Sequence, residues 1–162
     1  MKAELSSSQL NALVFLRILI GWHFLYEGLI KLFNPLWTAE GYLAGATGPF
    51  QLFFHWLGAS DMLALVDVLN ITALCLIGLS LTLGFRPKPF IWVGIILLAF
   101  YYLAYPPFPG WEIQAPTEGN YFIVNKNLIE IAALGVLLKF PTSTYFGLDN
   151  FLSKRMTSSQ SN

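Results

Sequence analysis

The sequence predicts an all-α integral membrane protein: a bundle of four transmembrane helices, both termini cytoplasmic, with a short interfacial helix in the first outer loop. Three observations carry this expectation: too little charge for a soluble body, four long apolar stretches between proline-marked turns, and a one-sided distribution of Lys and Arg. Of 162 residues, 56% are hydrophobic, 16% aromatic and 11% charged, and the mean hydropathy is +0.60. A soluble domain carries about 25% charged residues, so this chain has less than half the charge needed to cover a small body with a high surface-to-volume ratio. The length suits one domain, expected over residues 1–152, and the Ser/Asn-rich segment 153–162 reads as a disordered cytoplasmic tail.

A membrane-crossing helix needs ~20 mostly apolar residues. The first such stretch covers about 10–33 and is closed by Asn34 and Pro35. It reads as a retained helix rather than a signal peptide, because its apolar part is long, Arg17 lies inside it and no small-residue cleavage site follows. The second covers about 62–85 and stops at Arg86, Pro87, Lys88 and Pro89. The third, about 90–105, is short, so it either begins within the Pro87 to Pro89 region or is topped by Tyr101, Tyr102 and Tyr105 at the interface, and it ends on Pro106 and Pro107. The fourth, about 120–140, ends before Pro141, which cannot continue a helix.

The loops are sorted by charge. Lys2, Arg86, Lys88, Lys139, Lys154 and Arg155, with Glu4 and Asp149, fall on one side, which is therefore cytoplasmic. The other two connections, about 34–61 and 106–119, hold Glu40, Asp61, Glu112 and Glu118 and no Lys or Arg, so they face outward. Within the first of these, residues 49–57 are too short to span and rich in aromatics, which suits a helix lying at the outer interface. Residues 106–116 contain four prolines and are expected to form a fixed lid, with Trp111 as an interface anchor. A net charge of zero offers no basic field for nucleic acid.

Six ionisable residues remain inside the spans: Arg17, Glu27, Lys31, Asp67, Lys126 and Glu130. Each costs ~2.5–3.5 kcal/mol at the bilayer centre on insertion scales, so each needs a partner or a task. His23, Asn70, Asn125 and Asn127 add to the set. At about 1.5 Å rise per residue, His23, Glu27, Asp67, Lys126 and Glu130 all fall in the outer half, and Arg17 lies nearer the cytoplasm. Arg17, Gly21, Phe24, Gly28 and Lys31 share one helical stripe, Asp67 shares a face with Asn70, and Lys126 shares one with Glu130. Two explanations stand side by side: the charges pair to hold the bundle together, or they line a pocket that opens toward the outer leaflet. The glycines at 21 and 28 would admit either a neighbouring backbone or a flat ligand.

Other chemistries lack their residues. His23 and His55 are the only histidines, which speaks against bis-histidine haem and a metal site, and there is no G-x-G-x-x-G or Walker pattern for a nucleotide. Cys75, alone in an apolar run, reads as a packing residue.

The chain resembles the DoxX/DoxD-like family of four-helix bacterial membrane proteins. The resemblance rests on Arg17, Gly21, Phe24, Gly28, Lys31 and Leu32 in the first helix, on Asp67, Gly78, Gly84, Phe85 and Arg86 in and after the second, and on the run 125–128. It covers about residues 17–138; the family often has glutamate where this chain has Asp67. The resemblance implies a membrane subunit of a redox system in the bacterial cytoplasmic (inner) membrane, including quinone-reducing oxidoreductases. On that expectation the chain binds a menaquinone- or ubiquinone-type headgroup near the outer leaflet and receives electrons from an extracytoplasmic redox protein. Glu27, Asp67, Glu130 and His23 are the expected proton carriers, and Lys31 and Lys126 would polarise the ring carbonyls. Trp22 and Tyr101 would stack on the ring, with Arg17, Asn70 and Asn125 completing the binding set. The rival readings are a non-catalytic anchor or assembly subunit and a small proton-coupled exporter. Membrane lipid is the expected surrounding, and homo-oligomerisation is left open.

Overall fold

Helices in this chain start and stop where side chains can satisfy the backbone groups that a helix end leaves open. The computed structural model describes residues 5–59, 61–108 and 121–159, and all secondary structure named below lies within them. Helix α1, Ser7–Leu32, opens with a reciprocal cap in which the Ser6 side chain accepts from Gln9 N–H and the Gln9 side chain accepts from Ser6 N–H. The connection that follows α1 forms two helices, α2, Glu40–Ala44, and α3, Gln51–Ala59, packed on each other. Helix α4, Leu63–Leu83, ends at Gly84 in the left-handed conformation, φ +66°. Helix α5, Pro87–Ala104, starts on a proline, whose missing N–H costs nothing in a first turn.

Helix α6, Lys126–Lys139, corrects the expected fourth span of about 120–140. Asn125 is extended and its side chain accepts from Leu128 N–H at 3.1 Å, so the helix cannot begin earlier. Tyr121 and Val124 face each other across a tight turn joined by two backbone hydrogen bonds of 2.8 and 3.1 Å. The 14 residues of α6 reach only about 21 Å, short of the ~30 Å hydrocarbon core. Three helices, α1, α4 and α5, are long and apolar enough to cross a membrane. The chain then makes a 3-10 turn, Thr142–Thr144, and a last helix, α7, Leu148–Ser159. A disordered tail from residue 153 is therefore not what the structure has: α7 runs on through Ser159, and only 160–162 lie outside the described residues. The proline-rich segment beyond Phe108, with Trp111, Glu112 and Glu118, also lies outside them.

Helix α1 packs on α4, α4 on α5, α5 on α6, and α6 returns to α1. Ile77, Leu81, Ile91 and Leu134, each at most 1% exposed, fill the centre with Ile20, Phe24, Leu74 and Leu98. The outer surfaces are apolar as well: Phe15, Leu19, Trp22, Tyr26 and Ile30 form an exposed stripe on α1. Apolar residues on both sides of a helix suit a bundle in lipid.

The α1–α4 contact is the tightest. A Cβ on Gly21 would sit 2.7 Å from Thr82 N, one on Gly28 would sit 2.9 Å from Cys75 N, and one on Gly78 would fall on the Leu25 backbone. The two glycines on α1 thus admit a neighbouring backbone, not a ligand. Gly78→Ala is therefore expected to destabilise the protein by about 1–3 kcal/mol through overpacking, whereas Gly135→Ala, with nothing within 4 Å, should leave stability equal or raise it. Unfolding of the purified protein in mild detergent, followed by circular dichroism, checks both.

Candidate functional site

The polar residues of the first helix separate into two groups at opposite ends of the core. At one end the C-terminal half of α1, the start of α4, the end of α5 and the start of α6 diverge and leave a cavity of about 420 Å³. Helix α1 contributes His23, Phe24, Glu27 and Lys31, α4 contributes Asn70 and Leu74, and α5 contributes Leu98 and Tyr101, with Tyr105 just beyond it. Asn125, Lys126 and Asn127 bring the N-terminus of α6 to the wall, and the segment entering α2 supplies Trp37, Thr38, Ala39 and Tyr42. Below Phe24, Leu74 and Leu98 the packed apolar centre closes the cavity inward.

Its charges are paired. His23 Nδ1 lies 2.8 Å from Glu130 Oε1, joining α1 to α6, and Glu130 is 8% exposed with Oε2 buried and lacking a hydrogen-bond partner. Glu27 and Lys31, one helical turn apart, meet at 2.6 Å. The Lys31 ammonium also stands 5.6 Å from the centre of the Trp37 ring, a cation–π distance. The N-terminal end of α6, the positive end of its dipole, faces the same space as Lys126. The wall is therefore a mixture of fixed positive groups, a half-buried imidazole paired with a buried acid, and aromatic faces.

The aromatic wall is held by its own hydrogen bonds. Asn70 Nδ2 donates to Tyr101 Oη at 2.6 Å, Tyr42 Oη donates to the Tyr101 carbonyl at 3.3 Å, and Tyr105 Oη donates to the Tyr42 carbonyl at 2.7 Å. The Tyr42 ring lies 4.7 Å from that of Tyr105 and 5.8 Å from that of Tyr101, centre to centre. Burial, and then the neighbouring phenols Tyr101 and Tyr105, push the Tyr42 phenol above its ordinary pKa, although the residue as a whole keeps 39% of its surface exposed. Burial raises Tyr105 too. Both phenols stay protonated and serve as fixed donors near neutral pH.

Of the sequence-predicted site residues, His23, Glu27, Lys31, Asn70, Tyr101, Asn125 and Lys126 line this cavity, and Glu130 stands behind His23. Three do not join them. Trp22, 55% exposed, belongs to the outward stripe of α1 and packs against Tyr26 at 6.2 Å. Arg17, 1% exposed, lies at the other end, where Nη1 donates to Thr142 Oγ1 at 3.0 Å and Nη2 to the Phe146 carbonyl at 2.8 Å. Asp67 does not line the cavity: its Oδ1 accepts from Ala39 N–H at 2.8 Å, 28 positions back in the chain. Trp37, Thr38, Tyr42 and Tyr105 were not singled out as binding residues from sequence. For the three aromatics the signal was the aromatic density beyond the first span and at the end of the third, which an interfacial position explains equally well; Thr38 carried none.

Ala39 is the residue from which α2 starts, so Asp67 fixes the roof of the cavity from outside it. A hydrogen bond to a charged acceptor contributes about 1.5–3 kcal/mol. Asp67→Ala should therefore speed amide hydrogen exchange in residues 39–44 roughly ten- to hundredfold, while Asp67→Asn, which keeps a neutral acceptor oxygen worth about half as much, should speed it only a few-fold. Equal acceleration in both variants would show that the charge, not the acceptor, holds the roof.

The chain matches no protein-family model, no curated protein and no solved structure, so its function has to be sought in the chemistry of this cavity.

Proposed function

We propose that the protein is a quinone-binding membrane subunit of a redox complex, similar to DoxX/DoxD-like proteins, in which the cavity between α1, α4, α5 and α6 takes the quinone headgroup. In this reading α1, α4 and α5 cross a bacterial cytoplasmic membrane, and the shorter α6, packed on α5 and α1, returns the chain toward the cytoplasmic side. Both termini lie in the cytoplasm, the cavity opens near the outer leaflet, and α2 and α3 rest at the outer interface. An extracytoplasmic oxidoreductase carrying a flavin, nicotinamide or metal centre is the source of electrons.

The observation that carries the proposal is the coexistence, around one 420 Å³ space, of aromatic faces and a cavity-lining His23 backed by the buried Glu130. The volume falls in the ~300–1,000 Å³ range of small-molecule sites. Tyr42, Tyr101 and Trp37 offer flat surfaces to a planar ring, and the positive start of α6 with Lys126 suits carbonyl oxygens that gain negative charge. A bound quinone supplies a two-electron, two-proton acceptor. His23 and Glu130, 2.8 Å apart, hold a proton between a cavity-lining imidazole and a buried carboxylate, the arrangement required for transfer to an oxygen in the cavity. Glu27 keeps the Lys31 ammonium oriented over Trp37. Asp67 drops out of the proposed proton carriers and becomes a positioning residue for Ala39. Arg17 and Trp22 likewise drop out of the proposed binding set.

The mutual pairing of Glu27 with Lys31 and of His23 with Glu130 also suits a non-catalytic anchor, which needs the pairs only for assembly. Lipid extraction and mass spectrometry of the purified protein separate the two. Wild type should retain a quinone. Glu130→Gln and His23→Ala should lose it by roughly ten- to hundredfold, the worth of one charge-assisted hydrogen bond, and Trp22→Phe should not. Absence of quinone from wild type, or full retention in both site variants, overturns the assignment. Lower yield with unchanged retention favours the anchor.

A further inference from the structure

The C-terminal helix is rooted in the rest of the fold and then leaves it. Gly147, φ +152°, is pressed against Gly84, φ +66°: a Cβ on Gly147 would sit 2.9 Å from the Gly84 Cα. Asp149 N–H donates to the Gly84 carbonyl at 3.2 Å, and both Asp149 carboxylate oxygens stand 3.1 Å from Arg86 N, which donates to them. The buried Arg17 holds the Phe146 carbonyl just before. These contacts pin the first turn of α7 to the turn between α4 and α5, where two helices of membrane-crossing length end and begin. The root of α7 is thereby set at the level where those helices meet the membrane surface.

Beyond this root the helix is amphipathic. Leu148, Phe151, Leu152 and Met156 follow the i, i+3, i+4, i+8 spacing and keep 40, 52, 43 and 66% of their surface exposed. The opposite face carries Asp149, Asn150, Ser153 and Lys154. Arg155 falls within the apolar stripe, with its guanidinium 4.7 Å from the centre of the Phe151 ring, as a long side chain does when its stem follows an apolar surface and its charge reaches past it. Lys139 at the end of α6 and Arg86 and Lys88 around the start of α5 make the rest of this end basic, whereas the Asp149 carboxylate is taken by the Arg86 N–H.

We propose that α7 lies along the bilayer surface, its apolar stripe sunk into the headgroup boundary and its basic residues engaging anionic phospholipid headgroups. The occupant follows from two features together: the stripe starts at the membrane level set by α4 and α5, and the charge around it is complementary to anionic lipid. A soluble acidic protein would match the charge but would have to bury a stripe already placed at the lipid boundary. This inference requires that the chain span a membrane and is independent of what the cavity binds.

The test uses the full chain with Cys75→Ala and Met156→Cys, labelled at 156 with an environment-sensitive fluorophore. It is reconstituted at one copy per nanodisc, in phosphatidylcholine alone and in phosphatidylcholine mixed with phosphatidylglycerol. Blue-shifted emission and protection from the neutral quencher acrylamide are expected in both lipids, with protection several-fold greater in the anionic mixture. Lys154→Gln with Arg155→Gln should abolish that lipid dependence, and Phe151→Asp with Leu152→Asp should expose the probe, both without altering the unfolding transition of the bundle. Acrylamide access in both lipids as high as in the Phe151→Asp with Leu152→Asp variant overturns the proposal. Protection that appears only when two copies share a disc also overturns it, in favour of contact between copies.

Discussion

Helices α1 and α4 approach until backbone meets backbone, and the positions of the other polar groups depend on that approach. Three glycines make it: Gly21 faces Thr82, Gly28 faces Cys75, and Gly78 takes the Leu25 backbone. Contacts of this kind leave no freedom to slide by a residue, since any other register would drive a side chain into the partner's backbone. The register sets the C-terminal half of α1 against the N-terminal half of α4, so that His23 and Glu27 line the same cavity as Asn70 and Leu74. It also sets Arg17 beside Gly84, within reach of the chain returning after α6.

The two ends of the core solve the problem of buried charge differently. Around the cavity, acids meet bases at 2.6 and 2.8 Å, and the aromatic wall is tied by phenol hydrogen bonds. At the other end the Arg17 guanidinium is buried on neutral acceptors, a hydroxyl and a carbonyl, and so ties the 142–146 segment to α1. Removing one partner of a buried charge costs about 3–5 kcal/mol, far more than an exposed pair contributes. Arg17 is thus committed to structure, while the cavity pairs keep an edge open to a ligand. Asp67 belongs with Arg17 in this respect: one carboxylate oxygen, bonded across the fold to Ala39, decides where the roof of the cavity begins.

The local part of this organisation was legible in the sequence. The three longest helices fall where composition and proline turns put them, because an apolar stretch of that length has few alternatives in lipid and its ends are chosen by Ser6, Gly84 and Pro87. Most of the cavity-lining polar residues could be picked out as well, since an ionisable group inside an apolar helix stands out whatever its neighbours. The start of α6 was misplaced because hydropathy does not register an Asn125 side chain turning back on the helix it precedes. The tail was misjudged because polar composition concealed an apolar stripe of period 3.6.

By itself the sequence determined the helical class, the lengths of the three helices long and apolar enough to cross a membrane and the handful of polar residues that require explanation, because each follows from local composition and spacing. Only the tertiary structure decided which of those residues share a space. Helical phase places a side chain on a face, but the glycine-set register between α1 and α4 and the long-range bonds of Arg17 and Asp67 determine what that face meets. So His23 found Glu130 across 107 positions of chain, and Arg17 was drawn to the opposite end of the same helix stripe.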